Sequence, residues 1–346
     1  MPGRLPPTSR RLVAVVAAVA VIAIAAACGS DHHAAAPVTT TSTTMSSISL
    51  PTSSTTNTTT AASSSGAACR APGAPYAPAP VVRASGPLLV SRNLAYGPTN
   101  DEDLDVYQPR ASKPLPAVLL VHGGGWMKGD KLDLKTLATT LAGAGFVVFD
   151  ANYTLATASN AGYPNQLDQL ETAVSWIRSH ASNYGVDPAR VGALGASAGG
   201  NLVALLGLVP TGPCTSGARV AAVVSWSGPM DLTALYQHPC VSARKCEGIN
   251  RVGIGDFAGC PTPTSCPAKY QAASPASHVG GDDPPIYLFN SSDEVIPEDQ
   301  AANMATSLAG KGVTHQLTVY PGTKHARAYT QLALAPSVAF LHKWLG

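Results

Sequence analysis

Charged side chains are scarce in this chain of 346 residues. Lysine, arginine, aspartate and glutamate together make up 12% of the sequence, and the formal net charge is only +2. Proteins that bind nucleic acid neutralise runs of phosphates with a surplus of lysine and arginine. Because the chain has no such surplus, the sequence argues against nucleic acid as a partner.

Long hydrophobic runs are also lacking, with one exception near the start of the chain. Residues 12–27 form an uncharged apolar run, which Arg4, Arg10 and Arg11 precede and small residues follow. The run is shorter than the roughly 20 residues that a membrane-spanning helix needs. Basic residues, then a short apolar run, then small residues are typical of a secretory signal. We therefore expect residues 1–28 to be an export segment.

The end of that segment carries a second signal. Ala26-Ala27-Cys28-Gly29 resembles the lipobox of bacterial lipoproteins, in which the cysteine is lipidated and becomes the mature N-terminus. The resemblance implies lipidation of Cys28 and an extracytoplasmic protein that its lipid anchors to a membrane. The alternatives are simple cleavage nearby, which would give a secreted protein, and an uncleaved anchor.

Residues 29–85 lack a periodic apolar pattern and consist largely of threonine, serine, alanine and proline. Such a composition buries too little apolar surface to offset the entropy that folding removes. We expect a flexible tether over residues 29–85 and a single folded domain over residues 86–346.

No CxxC pair occurs in the chain, which argues against a zinc site even though four cysteines cluster between residues 240 and 266. With Cys28 set aside, the cysteines are even in number, as expected for disulfides in an exported protein. The spacing suggests the pairs Cys240–Cys246 and Cys260–Cys266, which leaves Cys69 for Cys214. Six cysteines allow many connectivities, so the pairing stays open at this point.

Within residues 86–346, short apolar runs alternate with longer segments of helical periodicity. This alternation is typical of a mostly parallel sheet with helices on both faces. Strands are predicted over residues 115–122, 146–150, 190–194, 220–226, 285–289 and 314–320. Helices are predicted over residues 132–144, 165–184, 201–209, 298–311 and 327–344. Residues 232–273 show no clear periodicity and predict a disulfide-stapled insertion near the mouth of a site.

Ser197 stands in the pentapeptide GASAG, between a predicted strand and a predicted helix. A GxSxG sequence in this context is the nucleophile elbow, where a sharp turn exposes the serine hydroxyl at the edge of a sheet. A chain rich in alanine, glycine and serine also produces this pattern by chance, so the flanking strand and helix are essential to the interpretation. Ser197 is therefore the candidate nucleophile.

A second motif, HGGGW at residues 122–126, directly follows the predicted strand over residues 115–122. Acyl transfer creates an oxyanion that backbone N–H groups must stabilise, and consecutive glycines let the chain turn those groups inward. The motif precedes Ser197, which is the order that α/β-hydrolases use. The alternative is a simple glycine turn after a strand.

Together, HGGGW and GASAGG resemble the α/β-hydrolase esterases of the hormone-sensitive-lipase and acetyl- or feruloyl-esterase type. The similarity extends over about residues 90–346 and includes LDVY at 104–107 and SGPMDL at 227–232. It implies an α/β-hydrolase fold and an oxyanion hole formed by the amides of Gly124, Gly125 and Ala198, with Gly123 as a further candidate. It also implies a structural role for His122, and it requires no cofactor and no metal.

In this family the acid and the base follow the serine in the chain. Asp293 follows a predicted strand in the segment NSSDEVIP at residues 290–297, which resembles the family's aspartate loop, where an aspartate precedes a proline by four residues. Asp293 is therefore the predicted acid. Glu294 is its nearest rival, and Asp299 lies too far into the next helix.

The predicted base is His325, which lies between the last predicted strand and the last predicted helix. Loops at strand ends are where a catalytic group can reach a site. His315 lies near the start of that strand and His342 lies within the terminal helix, so both are at the wrong end.

The sequence thus predicts an exported serine ester hydrolase that acts on small or medium acyl esters, either free or linked to polysaccharide. The alternatives are a prolyl-oligopeptidase-like peptidase, a lipase for long acyl chains and a non-catalytic binding protein on the same scaffold. The first usually carries a propeller domain, which this chain lacks. Trp126 is expected either to line the acyl pocket or to pack beneath the oxyanion loop.

Overall fold

A computed structural model describes residues 86–212, 217–238 and 251–346 of the chain. The strands are β1 (Leu89–Ala95), β2 (Asp103–Gln108), β3 (Leu115–Val121), β4 (Val147–Ala151), β5 (Val186–Ala196), β6 (Val223–Trp226), β7 (Ile286–Ser291) and β8 (His315–Tyr320). The helices are α1 (Lys135–Gly143), α2 (Asn165–Ser179), α3 (Ala198–Leu208), α4 (Leu232–Gln237), α5 (Arg251–Ala258), α6 (Pro267–Ala272), α7 (Glu298–Gly310) and α8 (Thr330–Leu345).

The strands form one sheet in the order β1-β2-β4-β3-β5-β6-β7-β8. β2 pairs antiparallel with β1 and with β4, and every pairing from β4 across to β8 is parallel. β3 is buried at every position, which explains its continuously apolar sequence, because strands of a parallel sheet are covered on both faces.

Successive side chains of β3 alternate between two hydrophobic cores, as the strand geometry requires. Leu119 belongs to the core that α2, α3 and α7 cover, whereas Leu120 belongs to the core that α1 and α8 cover. The predicted α/β-hydrolase architecture, a mostly parallel sheet with helices on both faces, is thereby confirmed. Because parallel strands all end at one edge, the loops after β3, β5, β6, β7 and β8 meet there.

The insertion predicted over residues 232–273 contains α4, α5 and α6, which sequence periodicity did not indicate. Gly253 and Gly255 weaken the helical signal of α5, since glycine is a poor helix former. Burial of Ile254, Phe257 and Tyr270 in the main core supplies the stability instead. Tertiary packing therefore overrides local propensity in this segment.

A disulfide joins Cys260 to Cys266 in the connection between α5 and α6 of this insertion, as the spacing suggested. The suggested pairs Cys240–Cys246 and Cys69–Cys214, the export segment with Cys28 and the tether lie outside the described residues. Within the described ranges, no helix is long and apolar enough to cross a membrane. In the same ranges, no cluster of three or more His, Cys, Asp or Glu side chains is arranged to hold a metal ion.

Candidate functional site

Ser197 occupies the turn between β5 and α3. Its backbone has φ 57° and ψ −120°, a conformation that is strained for a residue with a side chain. A Cβ atom at Gly195 would lie 2.1 Å from the carbonyl oxygen of Gly199, and one at Gly199 would lie 2.2 Å from that of Val121. Only glycine fits at these two positions, so the tight turn depends on both.

His325 follows β8 and reaches the serine across the carboxyl edge of the sheet. Its Nε2 atom lies 2.9 Å from Oγ of Ser197. This is hydrogen-bond distance between a nucleophile and its candidate base. The predicted pair of Ser197 and His325 is therefore brought together by the fold.

The carboxylate that contacts Nδ1 of His325 is Glu294, through Oε2. Its side chain is completely buried, and Oε1 accepts hydrogen bonds from Ser291 N at 2.7 Å and Ser227 Oγ at 2.8 Å. A carboxylate with these donors is held in one orientation. The carboxylate beside His325 is thus that of Glu294, one residue further along the loop than the predicted Asp293.

The loop after β7 accounts for this correction. The backbone N–H groups of Ser292 and Asp293 donate to the carbonyl oxygens of Tyr320 and Gly322, at 2.9 and 3.0 Å. These bonds continue the pairing of β7 with β8 past the end of the strands. Asp293 is only half-buried, and the side chain that enters the interior beside His325 is that of Glu294. Counting residues back from Pro297 could not reveal which side chain turns inward.

The glycines of the HGGGW loop lie against the serine turn. A Cβ atom at Gly123 would approach the carbonyl oxygen of Ala196 to 2.6 Å. Gly124 and Gly125 have positive φ values of 125° and 62°, which glycine adopts without strain. Both line the same cavity as Ser197 and Ala198.

Ala198 is the first residue of α3. The first N–H groups of a helix have no partner within the helix, and the helix dipole places partial positive charge there. The predicted oxyanion-hole residues Gly124, Gly125 and Ala198 thus lie around one cavity, beside the hydroxyl of Ser197. Whether their amides bind an oxyanion stays a prediction.

His122 is buried beneath the glycine loop. Its ring stacks on Tyr153 with centroids 4.4 Å apart, and its Nδ1 atom lies 2.7 Å from the carbonyl oxygen of Gly123. Burial lowers the pKa of His122, which favours the neutral ring. The contact with a carbonyl oxygen requires Nδ1 to carry the proton and to donate it. His122 therefore braces the loop.

Trp126 both packs beneath the loop and reaches the cavity. Its ring stacks on Phe257 of α5 with centroids 4.5 Å apart, and its indole N–H donates to Oδ1 of Asn201 at 3.3 Å. It is 4% exposed and contributes to the cavity wall. Trp126 thus meets both expectations, because it lines the cavity and also packs beneath the HGGGW loop, where that loop meets the insertion.

The cavity in front of Ser197 has a volume of about 690 Å³. Its lining includes the apolar side chains of Pro229, Leu235, Ile254, Val295 and Ile296. It also includes three charged residues, Lys128, Asp133 and Arg327. Leu235 and Ile254 come from the insertion, which thus forms part of the site, as expected.

Two buried hydroxyl groups behind Glu294 were not predicted. Oγ of Ser227 contacts both Glu294 and the phenol of Tyr329, which is fully buried. The sequence offered only an indirect signal for Ser227. This serine begins the segment SGPMDL, which resembles the family, but the resemblance assigns no role to the serine. Tyr329 lies in the turn after His325 and shows no pattern that would distinguish it.

Comparison with protein-family models matches the BD-FAE family to residues 104–308, which is more than half of the chain. Among characterised sequences, the chain is similar to the probable carboxylic ester hydrolase LipM of Mycobacterium tuberculosis, with 29% identity over 224 residues. That alignment covers 61% of this chain and 49% of LipM. The chain therefore spans about half the length of this relative.

Solved structures resemble the chain in fold. A bifunctional GH43-CE protein of Bacteroides eggerthii superposes with a TM-score of 0.64 and 21% identity, covering 74% of this chain and 38% of that chain. Thermogutta terrifontis esterase 2 phosphorylated by paraoxon superposes with a TM-score of 0.55 and 21% identity, covering 73% of this chain and 90% of that chain. At these identities the likeness concerns the fold alone.

Proposed function

The chain belongs to the BD-FAE family of hormone-sensitive-lipase-like α/β-hydrolase esterases, and from this membership we propose that it is a serine carboxylic-ester hydrolase. The observation that carries the proposal is the continuous line of contacts from Glu294 through His325 to Ser197. A serine hydroxyl is a weak nucleophile until an adjacent base accepts its proton, and that base must itself be oriented.

In the proposed reaction, Nε2 of His325 takes the proton of Ser197 as Oγ attacks the carbonyl carbon of the ester. Glu294 accepts the hydrogen bond from Nδ1 and stabilises the imidazolium. The imidazolium then gives its proton to the departing alcohol, which leaves an acyl-enzyme. Water, deprotonated by His325, attacks the acyl carbon, and the acid leaves as Oγ regains its proton.

The negative charge that develops on the carbonyl oxygen would be met by backbone N–H groups of Gly124, Gly125 and Ala198. Such groups are fixed before the reaction, so they stabilise the transition state without reorganisation. The positive φ values of the two glycines and the position of Ala198 at the start of α3 support this assignment.

The cavity supports small or medium acyl esters as substrates. About 690 Å³ is the size of a typical small-molecule pocket, and its apolar lining residues suit an acyl group or another apolar part of the ester. The charged residues Lys128, Asp133 and Arg327 of the same lining suit a polar alcohol, including a sugar. The fold likeness to a protein described as a GH43-CE enzyme agrees with a polysaccharide-linked ester but does not select it.

Export is part of the same proposal. The order of residues 1–28 supports a secretory signal, and Cys28 supports lipid anchoring. The disulfide between Cys260 and Cys266 supports export, because disulfides form and persist mainly in oxidising compartments. Metabolic labelling with a fatty acid, lost on Cys28→Ala, would support the anchor, whereas unlabelled protein in the medium would support simple cleavage.

The test of the activity is hydrolysis of p-nitrophenyl esters of increasing acyl length by the full chain and by Ser197→Ala. We expect short and medium esters to be cleaved and the variant to lose at least about 10³-fold in kcat. Thermogutta terrifontis esterase 2 is phosphorylated by paraoxon, so paraoxon provides a titrant for reactive sites. Activity that survives in Ser197→Ala would overturn the proposal, and cleavage of amides alone would favour a peptidase.

A further inference from the structure

Behind the acid of the proposed triad lies a buried hydroxyl pair, Ser227 and Tyr329. Ser227 directly follows β6, and Tyr329 lies in the single helical turn Ala326–Tyr329 before α8. Both side chains are completely buried. A buried hydroxyl costs stability unless it is hydrogen-bonded, so its partners indicate what it does.

The partners of Ser227 Oγ fill its hydrogen-bonding capacity. It lies 2.8 Å from Glu294 Oε1, 3.0 Å from Ala326 N and 2.7 Å from Tyr329 Oη. A hydroxyl has one proton to donate and two lone pairs to accept with. The ionised carboxylate and the amide fix two of these roles, since the carboxylate can only accept and the amide can only donate. Tyr329 must then donate to Ser227.

Tyr329 is suited to act as that donor. Burial raises the pKa of its phenol well above the ordinary value, which favours the protonated form that can donate. The same proton also faces the carbonyl oxygen of Phe289 at 3.2 Å, which is the longer and weaker of the two contacts that this phenol can donate to. The hydrogen bonds thus run in one direction, from Tyr329 to Ser227 to Glu294.

The single hydroxyl of Ser227 connects the two loops that carry the acid and the base. It donates to Glu294 in the loop after β7, and it accepts from the amide of Ala326, the residue that follows His325. Ser227 and Ala326 both have positive φ values, 52° and 45°. Such conformations cost free energy in residues other than glycine and persist where the surroundings impose them.

We propose that Ser227, oriented by Tyr329, is a positioning residue that holds Oε1 of Glu294 so that Oε2 faces the imidazole of His325. This inference rests on the proposed serine-hydrolase function. Ser291 N provides the second donor to Oε1, so the carboxylate is fixed from two directions. Without the Ser227 hydroxyl, Glu294 keeps its contact with His325 but loses the bond that ties the acid loop to the base.

The experiment measures kcat and KM of the full chain on p-nitrophenyl acetate for Ser227→Ala and Ser227→Gly, with the reactive sites counted by paraoxon. Glycine adopts the positive φ of this position without strain, so it removes the hydroxyl and preserves the backbone. We expect kcat per reactive site to fall about tenfold in both variants, with KM within about twofold of the wild type. Wild-type kcat in both variants would overturn the proposal.

Matched controls separate positioning from general stability. Ser337 is an equally buried serine whose Oγ accepts from the indole of Trp226 and donates to the carbonyl of Ala333, so its side-chain hydrogen bonds involve no residue of the proposed triad. Ser337→Ala should lower the unfolding temperature and leave kcat per reactive site unchanged. An equal loss of kcat in Ser337→Ala would show that the effect is not specific to Ser227.

Tyr329→Phe tests the same line of bonds without touching the serine, and it carries the test if the serine variants do not fold. Its matched control is Tyr287→Phe, which removes a phenol that bonds to Thr318 Oγ1 on the sheet. We expect kcat to fall about threefold in Tyr329→Phe, since it removes a bond one step away from the carboxylate. Equal kcat values for the two phenylalanine variants would contradict the assigned order.

A double variant shows whether Ser227 acts through the acid. If it does, adding Ser227→Ala to Glu294→Ala should reduce kcat by less than about twofold, because the group to be positioned is already gone. A full tenfold further loss would overturn the proposal. If Ser197→Ala retains activity, the proposed function itself fails. If Ser197→Ala is inactive but the Ser227 variants keep wild-type kcat, the proposed function stands and the positioning role fails.

Discussion

At the residue scale, the site depends on which side chain of the loop after β7 is buried. Glu294 is 1% exposed and contacts His325, whereas its neighbour Asp293 is half-buried and its amide pairs with Gly322. The glutamate side chain is one methylene longer, which lets a residue at this position of the loop reach the imidazole. The family's aspartate pattern therefore points to Asp293, whereas the carboxylate in contact with His325 is that of Glu294.

Exchanging each carboxylate for its amide distinguishes the two candidates. Glu294→Gln should lower kcat by roughly 10³-fold or more, because an amide cannot hold the imidazole in the correct tautomer or stabilise the imidazolium. Asp293→Asn changes the shape of its side chain just as little. Its kcat should stay within about threefold of the wild-type value. Ester hydrolysis by the two purified variants decides between them, and the reverse order of losses would restore Asp293 as the acid.

At the element scale, the β5–α3 turn is built on close backbone contacts. The Cβ position of Gly199 lies 2.2 Å from the carbonyl oxygen of Val121, at the end of β3. No rotamer relieves such a contact, because both atoms belong to the backbone or are fixed to it. The glycines of GASAGG thus serve the packing of α3 against β3 as much as the turn itself.

Gly199→Ala should therefore destabilise the protein by about 1–3 kcal/mol or displace α3, with loss of activity in either case. Gly143→Ala is the matched control, because Gly143 ends α1 and a Cβ atom there would meet nothing within 4 Å. Alanine is the better helix former, so this variant should be neutral or more stable by about 0.5–1 kcal/mol. Chemical denaturation measures both, and equal effects would refute the packing argument.

A buried carboxylate in β4 adds a pH dependence to the sheet. Asp150 is fully buried, and its carboxylate oxygens have no hydrogen-bond partner among the described residues. Burial, together with the nearby charge of Asp105, raises its pKa well above the ordinary value. Its contribution to stability is therefore fully present below the unfolded-state pKa and is lost as pH rises toward the folded-state value.

Asp150→Asn should remove this dependence of stability on pH. Between about pH 4 and pH 7, ionisation of Asp150 should lower the free energy of unfolding of the wild type by at most about 1.4 kcal/mol per pH unit. The asparagine variant should lack that contribution. Its free energy of unfolding should therefore fall less between pH 4 and pH 7 than that of the wild type. Thermal unfolding over a pH series tests the point, and parallel curves for the two proteins would contradict it.

At the scale of the whole molecule, the insertion and the sheet build the cavity together. Ile254 of α5 lines the cavity, and Phe257 of the same helix stacks on Trp126 of the oxyanion loop. The disulfide between Cys260 and Cys266 closes the turn that follows α5. Substrate preference should therefore be sensitive to changes that lie away from the catalytic triad.

Replacing both Cys260 and Cys266 by alanine should lower the free energy of unfolding by about 2 kcal/mol, the value expected for so short a loop. Loosening of α5 should also raise KM more than it lowers kcat, because the triad lies on the sheet and not on the insertion. Denaturation and steady-state kinetics on esters of two acyl lengths provide the measurements. An unchanged KM with a large fall in kcat would show that the insertion supports the triad instead.

The sequence by itself determined the fold class and singled out Ser197 and His325, which the fold brings together. Continuous apolar strands predict burial on both faces, and GASAG between a strand and a helix predicts the elbow at Ser197. Chain order and the position of a loop after a strand were enough to select His325. These features follow from local sequence, because strand burial, helix periodicity and tight glycine turns each leave a pattern in consecutive residues.

Only the tertiary structure decided which carboxylate contacts His325, which hydroxyl pair lies behind it and where the helices of the insertion lie. Glu294, Ser227 and Tyr329 come from three separate loops, and their contacts depend on which side chains those loops turn toward the interior. The helices α4, α5 and α6 gain their stability from burial against the main core and not from their own periodicity. Contacts between residues distant in the chain leave no local pattern, so the fold had to be present before they could be identified.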